Sequence, residues 1–97
     1  MRPRQGLTLE EAEIIGLKAL AFLADDEARL GRFLALTGLS GPELRAKAGD
    51  AGTLAAVLEH LAGDESLLLV FAAVSSLPPE HVGPALQALG AKAEKLR

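Results

Sequence analysis

The chain has 97 residues, of which 49% are hydrophobic and 3% aromatic, and its formal net charge is −3. It contains no cysteine, which excludes disulfides and thiolate metal ligands. Alanine and leucine dominate the hydrophobic residues, and this composition is typical of a packed helical bundle rather than of a β or a disordered protein. The negative net charge disfavours nucleic acid as a partner.

We expect one helical domain over residues 1–97, with residues 1–7 and 91–97 flexible. No signal peptide is recognisable, and the longest uncharged apolar run, residues 66–79, is too short to span a bilayer. These observations predict a cytoplasmic protein without a membrane segment. Residues 48–91 contain no lysine or arginine, so the second half should carry an acidic surface, either simply solvated or able to receive a basic partner.

The first helix is predicted to begin after Thr8, which can form a capping box with Glu11. Residues 14–24 carry one charge, at Lys18, and a helix that is apolar nearly all round is expected to be buried. Gly16 lies inside this helix and costs about 1 kcal/mol relative to alanine. We therefore interpret it as the site of a close helix crossing.

Two further helices follow in the first half. Residues 25–27 are acidic and are predicted to end the first helix and to cap a second one, which runs to Thr37. Gly38 is the predicted stop of that helix. Ser40 and Glu43 can form a second capping box, which opens a short third helix.

In the second half, Asp50 is predicted to cap a fourth helix over residues 51–62, and Asp64 a fifth over residues 65–75. The interior of the fifth helix has no polar residue, so we expect this helix at the centre of the bundle. Pro84 lies one turn inside a sixth helix and predicts a kink or a restart. Gly90 is predicted to end the packed region.

The chain resembles itself when it is shifted by 38 residues, which aligns residues 19–44 with residues 57–82. This pattern predicts an internal duplication and a bundle with approximate two-fold symmetry. The identical residues are caps and core positions, so they carry structure rather than function. The nine identical pairs are Leu20 and Leu58, Leu23 and Leu61, Ala24 and Ala62, Asp26 and Asp64, Glu27 and Glu65, Leu30 and Leu68, Phe33 and Phe71, Ala35 and Ala73, and Leu39 and Leu77.

The two copies differ in charge at two aligned positions. Arg29 and Arg32 of the first copy stand where the second copy has Leu67 and Val70. The simplest interpretation is that the second helix keeps a solvated face while the fifth helix is enclosed. The first copy is therefore where a working surface is expected.

Residues 19–39, with the Glu43-Leu44-Arg45 segment that follows, resemble a family of small bacterial helical proteins that is catalogued only as a domain of unknown function. Residues 58–77 also fit this family, and the resemblance extends over residues 9–89. It implies a small bacterial cytosolic helical protein and offers no catalytic residue to transfer.

No residue pattern points to chemistry, and we expect no catalytic residue, no cofactor and no metal. The acidic clusters at residues 25–27 and 64–65 are explained by helix capping, although paired carboxylates can also serve acid–base catalysis. His60 and His81 are 21 residues apart with different neighbours, so a shared metal site would need a coincidence of folding. Both are interpreted as surface imidazoles.

Residues 33–47 read as a helix, a turn and a second helix, which is the order of a helix-turn-helix. Arg45 and Lys47 would be the basic residues of the second helix, and phosphate neutralisation needs more cations than these two. A DNA-binding regulator is therefore the alternative hypothesis.

The preferred hypothesis is a non-enzymatic protein-interaction module that binds another protein or itself as a homodimer. Its candidate interaction surface lies around the second and third helices. The surface comprises Arg29, Arg32, Leu36, Arg45 and Lys47.

Overall fold

A computed structural model describes residues 7–96 of the chain. Within that range the chain forms six α-helices and one 3-10 helix and no β-strand, so the predicted all-α bundle of six short helices is confirmed. Residues 1–6 and 97 lie outside the described range, and with them most of the predicted N-terminal flexible segment. The helices are α1 (Leu9–Ala24), α2 (Glu27–Thr37), α3 (Gly41–Ala46), α4 (Ala51–Ala62), α5 (Glu65–Val74) and α6 (Val82–Lys95), and the 3-10 helix is Pro79–His81.

Both predicted capping boxes are present. The Thr8 hydroxyl accepts a hydrogen bond from the Glu11 amide, and the Glu11 carboxylate accepts one from the Thr8 amide. Ser40 and Glu43 make the same reciprocal pair at the start of α3. Gly38 ends α2 with φ of 78°, a left-handed conformation that glycine adopts without a steric penalty.

Helices α1, α4 and α6 pack against one another and form the centre of the bundle. Helix α2 packs mainly on α1, and α5 packs mainly on α4, so both lie at the periphery. Each peripheral helix inserts one fully buried phenylalanine, Phe33 from α2 and Phe71 from α5. The core therefore has three central helices with one smaller helix on each side.

Gly16 marks the crossing of α1 and α4, as the sequence predicts. A Cβ atom at this position would lie 2.9 Å from the Leu54 Cβ and 3.3 Å from the Leu89 Cδ1. Real Cβ atoms do not approach that closely, so only glycine lets the two helix backbones come together here.

The prediction that α5 is the enclosed central helix is wrong. Phe71 and Ala72 are buried, but Leu69, Val70 and Val74 are 51%, 42% and 69% exposed. The centre is occupied by the three longest helices, whose larger apolar faces bury more surface when they pack on one another. The ten-residue α5 is left with one covered face.

The prediction that α1 is buried all round is also wrong. Ile14 and Leu17 are about half exposed, while Ala12, Ile15 and Ala19 on the opposite side are buried. Helix α1 therefore has an apolar face that points away from the core.

The C-terminal segment differs from the sequence prediction as well. Helix α6 begins at Val82, two residues before Pro84, so the proline occupies the first turn, where its missing N–H has no intrahelical partner to lose. The helix continues through Gly90 to Lys95, and the Lys92 ammonium lies 2.9 Å from the Glu13 carboxylate of α1. Gly90 therefore does not end the packed region.

None of the helices that the structure describes combines the length and the apolar character needed to cross a membrane.

Candidate functional site

Two pairs of rings connect the peripheral helices to the central ones. Phe22 of α1 packs against Phe71 of α5, with ring centroids 5.4 Å apart. His60 of α4 packs against Phe33 of α2, with centroids 5.3 Å apart. Phe22 and His60 are aligned by the 38-residue shift, and so are Phe33 and Phe71. The two contacts are thus reciprocal, and each joins one copy to the other.

The contact of α1 with α4 also joins residues that the 38-residue shift aligns. Gly16 and Leu54, which meet at the helix crossing, are themselves aligned by the 38-residue shift. In an arrangement with two-fold symmetry, equivalent residues meet at the axis, and every other contact occurs twice in reciprocal form. The geometry at these residues fits a two-fold axis through the α1–α4 crossing. That the two copies arose by duplication stays a prediction.

Beside Phe22 the structure has an open cleft of about 340 Å³ between α1 and the end of α5. We call it the α1–α5 cleft. It is lined by Lys18, Ala21, Phe22, Asp25, Val74 and Ser75.

Beside His60 there is a second open cleft, of about 530 Å³, between α2 and the turn that joins α4 to α5. We call it the α4–α2 cleft. It is lined by Arg32, Leu36, Glu59, His60, Gly63, Asp64, Glu65 and Ser66.

The two clefts are equivalent under the same 38-residue shift. Four lining residues of one correspond to four of the other, and the corresponding Leu36 and Val74 have nearly the same exposure, 67% and 69%. Their chemistry differs. The α1–α5 cleft has the apolar Ala21 and Phe22 at the positions where the α4–α2 cleft has the carboxylate of Glu59 and the imidazole of His60. The corresponding pairs are Ala21 and Glu59, Phe22 and His60, Asp25 and Gly63, and Val74 and Leu36.

The α1–α5 cleft continues along α1. A further cleft of about 200 Å³ shares Lys18 with it and brings Ile14 of α1 beside Leu77 and His81. The outward side chains of α1 thus form one wall of a groove, and the chain around Val74 and Leu77 forms the other. The outer surface of α5 adds Val70, one turn before Val74.

Arg29 has a structural role. Its guanidinium lies 4.1 Å from the centroid of the Phe22 ring, where a cation is attracted to the face of an aromatic ring. The side chain is half-buried and covers apolar core surface. This contact within the chain accounts for an arginine at this position, so Arg29 does not need a binding partner to explain it.

The other residues of the sequence-predicted surface do not lie together. Arg32 and Leu36 share the α4–α2 cleft, whereas Lys47 lines a separate cleft with Asp50 and Leu96. Arg45 is exposed on α3 and lines none of these clefts. The helical spacing of Arg32 and Leu36 brings those two together, and the turn at Gly38 separates them from the basic residues of α3.

The two histidines lie in different clefts, His60 with Glu59 and Asp64, and His81 with Ile14 and Leu77. Within residues 7–96 no three histidine, aspartate or glutamate side chains are placed so that they could hold one metal ion together. The His60 Nε2 atom is shielded from solvent and has no hydrogen-bond partner among the described residues. The imidazole therefore serves as an aromatic ring against Phe33 in this arrangement.

The predicted helix-turn-helix order is present as α2, a turn and α3. However, α3 has only six residues and is about 9 Å long. Its single buried residue, Leu44, faces the core, and it offers the exposed Arg45 and, just beyond its end, Lys47. This short element presents fewer cations than phosphate binding needs.

Comparison with known families identifies the chain. The family described as "Protein of unknown function (DUF3572)" matches residues 9–92. The chain belongs to this family. The resemblance that residues 19–39 and 58–77 indicate is thereby confirmed, whereas a bacterial source stays a prediction. No curated protein and no solved structure matches the chain.

Sequence reasoning did not single out Ile14, Ala21 or Val74. Two sequence signals could have found them. Ile14 and Ala21 are seven residues apart on one face of α1, and Val74 is the equivalent of Leu36, which the sequence did single out. The sequence contains no signal that the apolar residues on the outer side of α5 are exposed to solvent.

Proposed function

We propose that this chain is a non-enzymatic protein-interaction module, and that it binds through an apolar surface formed by α1 and α5. The observation that carries the proposal is the outward side of α5, where Leu69, Val70 and Val74 are exposed on a helix without a single charged residue after Glu65. Large apolar patches exposed on soluble monomers commonly mark the site where another molecule binds.

The clefts themselves support a binding role over catalysis. Each is open, and among the described residues that line them no hydroxyl is hydrogen-bonded to a base and no three side chains are placed to hold a metal ion. Surface complementarity, by contrast, needs only apolar side chains with a polar rim. A cytoplasmic location is part of this proposal.

The competing surface is the one that the sequence predicts, with Arg32 and Leu36 in the α4–α2 cleft. Because these residues are the equivalents of Val70 and Val74, the chain offers a matched pair of variants. Val70→Glu with Val74→Glu changes one surface, and Arg32→Glu with Leu36→Glu changes the other at the corresponding positions.

The experiment is affinity capture of the tagged chain from cells that express it, followed by quantitative mass spectrometry. Circular dichroism first establishes that both double variants keep their helix content. We expect the V70E/V74E variant to lose the partners that the wild-type chain captures and the R32E/L36E variant to keep them. The opposite result would move the site to the α4–α2 cleft, and an identical set of captured proteins for all three chains would overturn the proposal.

The DNA-binding alternative does not enter the proposal, because α3 is short and its two exposed cations are too few. A duplex shift at low ionic strength that disappears when Arg45 and Lys47 are both changed to Glu would bring it back.

A further inference from the structure

We propose that the α1–α5 surface receives a second copy of this chain, with the two α1 helices packed antiparallel across a two-fold axis near Ala21. The inference rests on the proposed function, because it names the occupant of the same surface. It is carried by the position of two charges, Lys18 and Asp25, beside the apolar residues of the α1–α5 cleft.

Asp25 is the C-cap of α1 and keeps a helical backbone conformation, so Lys18 and Asp25 lie on the same side of this helix as the exposed Ile14 and Ala21. They are seven residues apart, which is two turns and about 10.5 Å along the axis, too far for them to pair with each other. Both side chains are exposed, and neither makes an ion pair or a hydrogen bond with any residue in the range 7–96. The single chain thus leaves a cation and an anion unpaired beside an apolar cleft.

An antiparallel arrangement of two copies pairs both charges at once. When a two-fold axis passes close to Ala21 and Phe22, Lys18 of one copy lies across from Asp25 of its partner, and Asp25 lies across from the partner's Lys18. The small side chain of Ala21 allows the two helices to approach at the axis. The surface that carries these two charges is therefore complementary to itself. An isologous interface, in which both copies use the same surface, requires this property.

The outer side of α5 fits the same arrangement. Residues 66–79 contain no charge, so no like charges meet when Val74 of one copy approaches Val74 of the other. An anionic lipid surface suits this site less, because Asp25 and the acidic start of α5 at Asp64 and Glu65 flank the apolar residues.

The size of the surface predicts a weak dimer. Helix α1 is about 24 Å long, and two adjacent helices are about 20 Å wide, so the footprint falls at the small end of protein interfaces. We expect a monomer–dimer equilibrium with a dissociation constant on the order of micromolar.

The experiment is sedimentation velocity of the purified full chain over a series of concentrations spanning that range. We expect the wild-type chain to dimerise, Val74→Glu to weaken the dimer at least about ten-fold, and the matched control Leu36→Glu to leave it unchanged. A wild-type chain that stays monomeric throughout would overturn the proposal. A dimer that Val74→Glu leaves intact would place the interface elsewhere and also overturn it.

Charge exchange tests the antiparallel register. In the Lys18→Asp variant, the new aspartate of each copy lies across from Asp25 of its partner, and this repulsion should weaken the dimer. Lys18→Asp combined with Asp25→Lys places opposite charges across from each other again and should restore the dimer. Failure of the double variant to restore the dimer would overturn the register.

The capture experiment separates this inference from the proposed function. If the chain is monomeric and still captures another protein in a manner that depends on Val70 and Val74, the second copy is excluded and the interaction module stands. If the chain dimerises through Val74, both proposals stand.

Discussion

The α1–α5 cleft and the α4–α2 cleft occupy equivalent places in the molecule, yet they present different surfaces. Each lies beside a ring pair that joins the two copies, Phe22 with Phe71 in one and His60 with Phe33 in the other. The first is lined by the apolar Ala21 and Val74 together with the charged Lys18 and Asp25. The second has Glu59 at the position equivalent to Ala21, and Arg32 also lines it. The comparison teaches that equivalent places in the fold carry different side chains, and we propose that these differences determine which of the two surfaces binds another molecule.

The largest expected effect concerns the two buried phenylalanines. Phe33 and Phe71 are both fully buried and equivalent, so Phe33→Ala and Phe71→Ala should each destabilise the fold by about 3–5 kcal/mol. Denaturant unfolding measures the two losses. Since each ring packs on a different neighbour, a loss confined to one variant would show that the two sites are not structurally equivalent. If either alanine variant fails to fold, Phe33→Leu and Phe71→Leu give the same comparison with a smaller loss of stability.

The next effect concerns the α1–α4 crossing. Gly16→Ala should destabilise the fold by about 1–3 kcal/mol, because the new Cβ would lie 2.9 Å from the Leu54 Cβ. The matched control is Gly31→Ala in α2, where no atom lies within 4 Å of the added Cβ and alanine should stabilise the helix by about 0.5–1 kcal/mol. Thermal melts of the two variants should move in opposite directions. Stabilisation by Gly16→Ala would contradict the close crossing.

The helix caps predict a smaller difference between the copies. The Asp26 carboxylate accepts hydrogen bonds from the amides of Ala28 and Arg29, at 2.9 and 3.1 Å, whereas the Asp64 carboxylate accepts one, from Leu67 at 3.1 Å. Asp26→Ala should therefore lower the free energy of unfolding more than Asp64→Ala does, and both losses should fall within about 0.5–2 kcal/mol. Denaturant midpoints compare the two variants, and a larger loss at Asp64 would show that the second hydrogen bond at α2 contributes nothing.

The smallest effect is expected at Glu43, in the capping box of α3 that the second copy lacks. Hydrogen bonds from the amide and the hydroxyl of Ser40 lower the pKa of the Glu43 carboxyl below its ordinary value of 4.5. The capping contribution should be complete above pH 4.5 and should disappear as the pH falls through the lowered pKa. Carbon-detected NMR titration of the carboxyl gives its pKa, and in Ser40→Ala that pKa should rise. An unchanged value would show that the Ser40 hydroxyl does not contribute and that the backbone amide, which alanine keeps, holds the carboxylate alone.

The sequence predicted the starts of α1, α2, α3 and α5 well because N-terminal caps are local. Thr8, Ser40, Asp26 and Asp64 each bond an amide two or three residues away, so a short pattern contains the whole interaction. Asp50 is the exception, since it precedes α4 without a side-chain cap bond.

The sequence could not predict which helices occupy the centre. The apolar residues of α5 indicate that the helix prefers to be covered, but only long-range packing decides what covers it, and α1, α4 and α6 cover one another first. The same limit applies to the candidate site. The spacing of Arg32 and Leu36 placed them on one surface correctly, whereas Arg45 and Lys47 depended on the direction in which the chain leaves α2.

The central claim is that the α1–α5 surface binds and the equivalent α4–α2 surface does not. The most direct measurement is a dilution series of the ¹⁵N-labelled chain followed by two-dimensional NMR, which reports association residue by residue. Concentration-dependent shifts are expected at residues 18–25 and 70–74, with residues 32–36 and 59–60 unchanged. Shifts confined to residues 32–36 and 59–60 would contradict the account.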